Sequence, residues 1–125
     1  MSADARVWST DGDLGDAVAA GRLLRAELDA IPEPVGVLVV ADGANALTAG
    51  APGGYQPELV AVQQALDDAL AHGDVDVLAG LPAPVHGRAA FAVLAGLAGS
   101  GPRAARELYR GAPLGVGYFV GVWLP

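Results

Sequence analysis

The sequence predicts a small α/β domain with a mainly parallel sheet of about three strands flanked by helices. Three observations predict it. Apolar, β-branched runs alternate with stretches of helical periodicity in the order β-α-β-α-α-α-β. Glycine and proline divide the chain at nearly every boundary between them. A length of 125 residues suits one domain, read as 1–125, with enough chain to bury a core.

Each element has its own signal. Ala5 to Ser9 reads as a short strand, and Thr10-Asp11-Gly12-Asp13 as a turn leading into a helix. Asp13 is placed to cap free backbone N–H groups, with Asp16 adding favourable charge in the first turn. Leu14, Val18, Gly21, Leu24, Leu28 and Ile31 then recur at steps of three and four until Pro32 and Pro34. Val35 to Val40 is a continuous apolar run, as expected of a strand buried on both faces. Asp42 to Gln56 forms a long loop with four glycines. Pro57 opens a second helix, with Leu59, Val62, Leu66 and Ala69 on its buried side and His72-Gly73 closing it. A short helical piece from Val75 to Leu81 precedes a third major helix, Pro84 to Ala98. Pro102 to Tyr109 reads as a short helix, and Leu114 to Trp123 as the last strand. Three strands leave two open edges, so at least one edge is expected to pair with another domain or protomer.

Composition removes several function classes. There is no cysteine, which excludes disulfides, zinc ribbons and thiol catalysis. The net charge of −7 is carried against only seven arginines and no lysine, so nucleic acid and anionic membrane surfaces are not expected partners. No lysine also means no P-loop. Gly115-Val116-Gly117 lies inside a strand and Gly99-Ser100-Gly101 follows a helix, so neither is a dinucleotide fingerprint. No serine sits in a nucleophile elbow. Met1 to Trp8 does not read as a signal peptide, and Leu114 to Leu124 falls well short of the ~20 apolar residues of a spanning helix; a cytoplasmic location is expected. The hydrophobic fraction of 53% is high for a small domain, which points to apolar surface covered by a partner.

Two histidines bear on metal binding. His72, in a last helical turn, suits the helix dipole. His86, near a helix start, is the candidate ligand, with carboxylates such as Asp42 beside it. A non-haem iron site wants two histidines and a carboxylate, more than this chain offers unless His72 and His86 meet.

The segment Val39-Val40-Ala41-Asp42-Gly43-Ala44-Asn45-Ala46-Leu47-Thr48, followed by Ala51-Pro52-Gly53-Gly54-Tyr55-Gln56-Pro57, resembles the carboxy-terminal part of the class III extradiol dioxygenase (LigB-type) family, in its actinobacterial branch. The ending from Arg106 to Val120 resembles that family's closing segment. The resemblance implies ring opening of catechols with dioxygen at a ferrous ion held by two histidines of the amino-terminal part and a carboxylate of the carboxy-terminal part. It places the family aspartate at Asp42, the acid/base histidine position at Asn45 and the third ligand position at His86. Asparagine cannot shuttle a proton at neutral pH. The resemblance therefore implies a domain that is not catalytic alone, paired with a companion LigB-like amino-terminal domain or with further copies of itself. Iron or zinc would bind only with that partner. Two alternatives stand beside it: an enzyme subunit whose metal site is completed in trans, and a small-molecule binding module using Thr48, Pro52, Gly53, Gly54 and Tyr55 of the loop. Asp42 reads either as an orienter of a pocket or as a turn residue in an Asp-Gly pair.

Overall fold

The computed structural model describes residues 3–8 and 12–125. It is α/β, with α1 (Leu14–Asp29), α2 (Glu58–His72), α3 (Val75–Ala79), α4 (Arg88–Ala98), β1 (Ala104–Gly111) and β2 (Tyr118–Leu124). Asp13 caps α1 by accepting from the Gly15 amide at 2.7 Å. Asp74 caps α3 in the same manner through the Val77 amide. Gly73, at φ 77°, ends α2 in the left-handed conformation that favours glycine.

Helices α1 and α4 cross at glycines. A Cβ on Gly21 would run into the Val93 carbonyl oxygen, and one on Gly96 into the Val18 carbonyl oxygen. The two backbones thus meet where neither helix carries a side chain. Beside this crossing, Ala17, Ala92 and Val93 bury a small cluster with Trp8, Leu14 and Val18 against it. The main core lies between α2, α3 and α4, where Leu66, Leu70, Leu78, Val85 and Phe91 are buried together. Phe119 and Trp123 of β2 close it from the sheet side, and the Trp123 Nε1–H donates to the Leu70 carbonyl at 2.7 Å.

The sheet differs from expectation. It has two strands among the described residues, β1 and β2, and they run antiparallel, not three in parallel. The segment expected as a short helix, Pro102 to Tyr109, supplies β1. It follows the Gly99-Ser100-Gly101-Pro102 break, and a short connection brings it beside β2, so its backbone is satisfied by a ladder that an isolated two-turn helix could not match. An extra residue on β1 between Glu107 and Tyr109 makes a bulge, which leaves Leu108 exposed. The last strand starts at Tyr118 instead of Leu114, because Leu114 to Gly117 are used in turning the chain and in bonding the loop described below.

Neither of the other expected strands forms. Ala5 to Trp8 has no ladder partner among the described residues, while Ser9, Thr10 and Asp11 lie outside them. Val35 to Val40 runs without helix, turn or bend, yet joins no sheet. Its side chains are not buried on two faces: Leu38 is 88% and Val40 81% exposed. A strand needs a ladder partner, and the sequence signal for burial on both faces is met here on neither. Helix boundaries shift more modestly. The third major helix begins at Arg88, since Pro82 and Pro84 lack amide donors and residues 82–88 form turns instead. The helical piece from Val75 ends at Ala79, closed by Gly80. Among the described residues no helix is long and apolar enough to cross a membrane.

Candidate functional site

The loop after Val40 positions most of the predicted site residues. The Asp42 carbonyl accepts from the Gly87 amide at 2.7 Å, which ties the start of the loop to the start of α4. Gly87 makes this approach possible: a Cβ there would press on the Ala41 side chain and the Asp42 backbone. Asp42 and His86 consequently line one cleft of about 310 Å³, together with Trp8, Val40 and Ala89. Both are exposed at its mouth.

Asn45 is not in that cleft. Its carbonyl accepts from Gly53 at 3.0 Å, and its side-chain oxygen lies against the Gly53 Cα, so it belongs to the glycine loop. The loop closes on itself through paired turns, with the Ala51 amide donating to Thr48 and the Gly54 amide to Ala51. Pro52 sits at the second position of the latter turn, where its fixed φ fits. The Gln56 amide returns to the Ala46 carbonyl at 2.9 Å. Gly43, Ala44 and Leu47 bond the backbone of Gly115 and Gly117. Thr48 stands beside Gly115, and Tyr55 is exposed at the surface. The amides of Gly43, Leu47, Ala51, Gly53, Gly54 and Gln56 are thus spent on holding the loop's own shape and the β1–β2 connection. The structure brings Asp42 to His86, and Asn45 to Pro52-Gly53, but does not join the two groups.

Metal-binding capacity follows from this arrangement. Among the described residues no three histidines or carboxylates come together as a metal set. His72 is engaged on its own helix, its Nδ1 2.8 Å from the Asp68 carbonyl. Asp42 and His86 thus supply two donors in a cleft whose other walls are Trp8, Val40, Ala41 and alanines of α4. Two donors do not make the three-ligand iron site that the resemblance implies.

A buried polar cluster was not foreseen from the sequence. Gln63 of α2 accepts from the buried Ala44 amide at 2.9 Å and donates to Asp67 at 2.9 Å. Gly43 and Gly117 leave the room for it, since a Cβ on either would run into the Gln63 amide group. Burial pushes the Asp67 carboxyl above the usual carboxylate range, against the opposing pull of the Gln63 hydrogen bond and the Arg110 charge. Arg110 itself bridges Asp68 of α2 at 2.8 Å and Glu107 of β1 at 2.6 Å. A signal was present: Gln63 and Asp67 continue the inward stripe of Leu59, Leu66 and Leu70 at steps of three and four. Polar residues on such a stripe need partners, and the loop backbone is one of them.

No family model, curated protein or solved structure matches this chain.

Proposed function

We propose that this chain is a LigB-like domain, non-catalytic by itself, that works in the cytoplasm as one half of an assembly with another domain or protomer. The observation that carries the reading is the run Val35 to Val40. Val35, Val37, Leu38 and Val40 are all exposed, an unusual density of uncovered apolar side chains in six residues. The outer face of the sheet adds Tyr118, Val120, Val122 and Leu124, all exposed. Asn45 in place of an acid/base histidine and the incomplete donor set at Asp42 and His86 support the non-catalytic half.

Two measurements test it. Replacing Leu38 and Val40 together by lysine should change the stability of the isolated chain by no more than about 0.5 kcal/mol, because each keeps most of its surface exposed. Unfolding of that double variant would mean that the face belongs to the chain's own core and would overturn the pairing. Catechol cleavage by the isolated chain after anaerobic loading with ferrous iron would overturn the non-catalytic assignment.

The shared cleft of Asp42 and His86 favours a second reading, an enzyme subunit whose metal site is completed by donors from another chain. In that case His86→Ala lowers the zinc affinity of the assembled protein at least tenfold. Unchanged metal content in the variant would remove this reading.

A further inference from the structure

We infer that the trough between Val35–Val40 and β2 receives an extended, apolar strand of a partner polypeptide, bracketed by basic residues. The inference rests on the reading of the chain as half of an assembly and names the chemistry of what it takes up.

The trough is a cavity of about 670 Å³. One wall is the segment from Val35 to Val39, and the other is β2 through Phe119, Gly121, Val122 and Trp123. No residue of β1 lines it, so it lies along the edge of β2 that β1 leaves free. Its floor is apolar, from Leu66, Leu70 and Phe91.

The backbone decides between kinds of occupant. Among the described residues, Val35 to Val40 makes no backbone hydrogen bond, and β2 has a ladder on one side only. Both walls therefore contain backbone amide and carbonyl groups without a partner among the described residues. A fatty acyl chain or an aromatic ligand would cover the apolar floor and leave these groups without partners. An extended strand is the occupant that supplies partners for such backbone groups while turning alternate side chains to an apolar floor.

Charge decides whose strand it is. Glu33 precedes the segment and Asp42 follows it, both exposed. The cation at the trough, Arg25, is already engaged with Asp29 at 3.0 Å and the Leu97 carbonyl at 3.1 Å. If the segment paired antiparallel with its own copy, Val35 opposite Val40, each Glu33 would face an Asp42. Like charges directly opposite destabilise a strand pair. With a net charge of −7 on each chain, a second copy is the poorer occupant. A strand with lysine or arginine beyond each end is the complementary one.

The probe is a fluorescein-labelled peptide of alternating valine and threonine with a lysine at each end, titrated against the full chain. Binding is expected to raise the anisotropy and to slow hydrogen exchange of the Val37 and Val39 amides at least tenfold. Glutamates in place of the lysines should weaken it at least tenfold, and a central proline should abolish it. Three results overturn the assignment: no peptide binding by the folded chain, sodium laurate filling the trough without slowing any of these amides, or a dimer that protects them with no peptide present. Failure of this inference is distinguishable from failure of the assembly reading. If the Leu38→Lys, Val40→Lys variant unfolds, the assembly reading falls; if it folds and the parent chain binds no peptide, only the strand assignment falls.

Discussion

Gln63 holds the start of the loop to α2, and replacing it by leucine measures how strongly. Leucine has nearly the same volume, so the cost is polar and not a cavity. Two interactions disappear. The Ala44 amide, on a residue with no exposed surface, loses its acceptor, which costs about 1–3 kcal/mol for a buried donor left unmet. Asp67 loses its side-chain donor, about 1.5–3 kcal/mol while the carboxyl is charged. The added apolar burial returns about 1 kcal/mol. The expected net loss is about 3 kcal/mol at pH 7, or roughly 10 °C in Tm for a chain of this size. The second interaction depends on pH. Burial raises the folded-state pKa of Asp67 above its ordinary value of 3.8, so on acidification the carboxyl protonates earlier in the native state than in the unfolded chain. Once neutral it needs Gln63 less, and toward pH 4 the penalty should fall to about 1–2 kcal/mol. Urea unfolding of both proteins at pH 7 and pH 4, followed by tryptophan fluorescence, reads the difference. Equal losses at the two pH values would refute the coupling of Asp67 ionisation to Gln63, and a loss below about 0.5 kcal/mol would refute the buried Ala44 bond as well.

Other substitutions test neighbouring features. Gly96→Ala should destabilise by about 2–3 kcal/mol in thermal unfolding even though alanine is the better helix former by about 1 kcal/mol, because its Cβ meets the α1 backbone and not a side chain that can move. Asp67→Asn should be at least as stable as the parent at pH 7. It should also flatten the loss of stability that the parent shows as pH rises from about 4, the window in which the native state holds the extra proton. Trp123→Phe keeps the ring against the core but removes the bond to the Leu70 carbonyl, so about 1–2 kcal/mol should be lost in urea unfolding, with little change at the β1–β2 ladder by hydrogen exchange.

The helices were legible because their signals are local. Asp13 as a cap, the stripe of α1, His72-Gly73 at the end of α2 and the apolar run of α4 all act within one or two turns. Sheet structure was less legible because a ladder joins distant or unmarked segments. Ala104–Gly111 carries two arginines and a glutamate, and nothing in its own pattern distinguishes it from a short exposed helix; its pairing with β2 decides. Val35–Val40 shows the converse, a strong strand pattern that no other part of the described chain completes. For the candidate site, Asp42 and His86 line one cleft, as a shared site would require. Placement of Asn45 depends on how the loop folds back to Gly53, which turn chemistry alone does not determine.

Where the chain satisfies its own polar groups and where it does not divides the molecule into two regions. From Asp42 to Gly54 a long irregular loop is held through Gly87, Gly115, Gly117 and the Gln63 amide, even at the expense of burying Asp67. Just before it, Val35–Val40 is more apolar and more strand-like than anything in the loop, yet none of its backbone is bonded within the described chain. A segment of that composition in isolation is an aggregation hazard, and edge strands that face water permanently usually carry charge, proline or a bulge along their length. Here the acidic residues stand outside the run, at Glu33 and Asp42, and the two prolines stop at Pro34. The run itself is unguarded. That distribution is what a pairing surface requires: free backbone and apolar side chains along the strand, with charge at its ends to select what joins it.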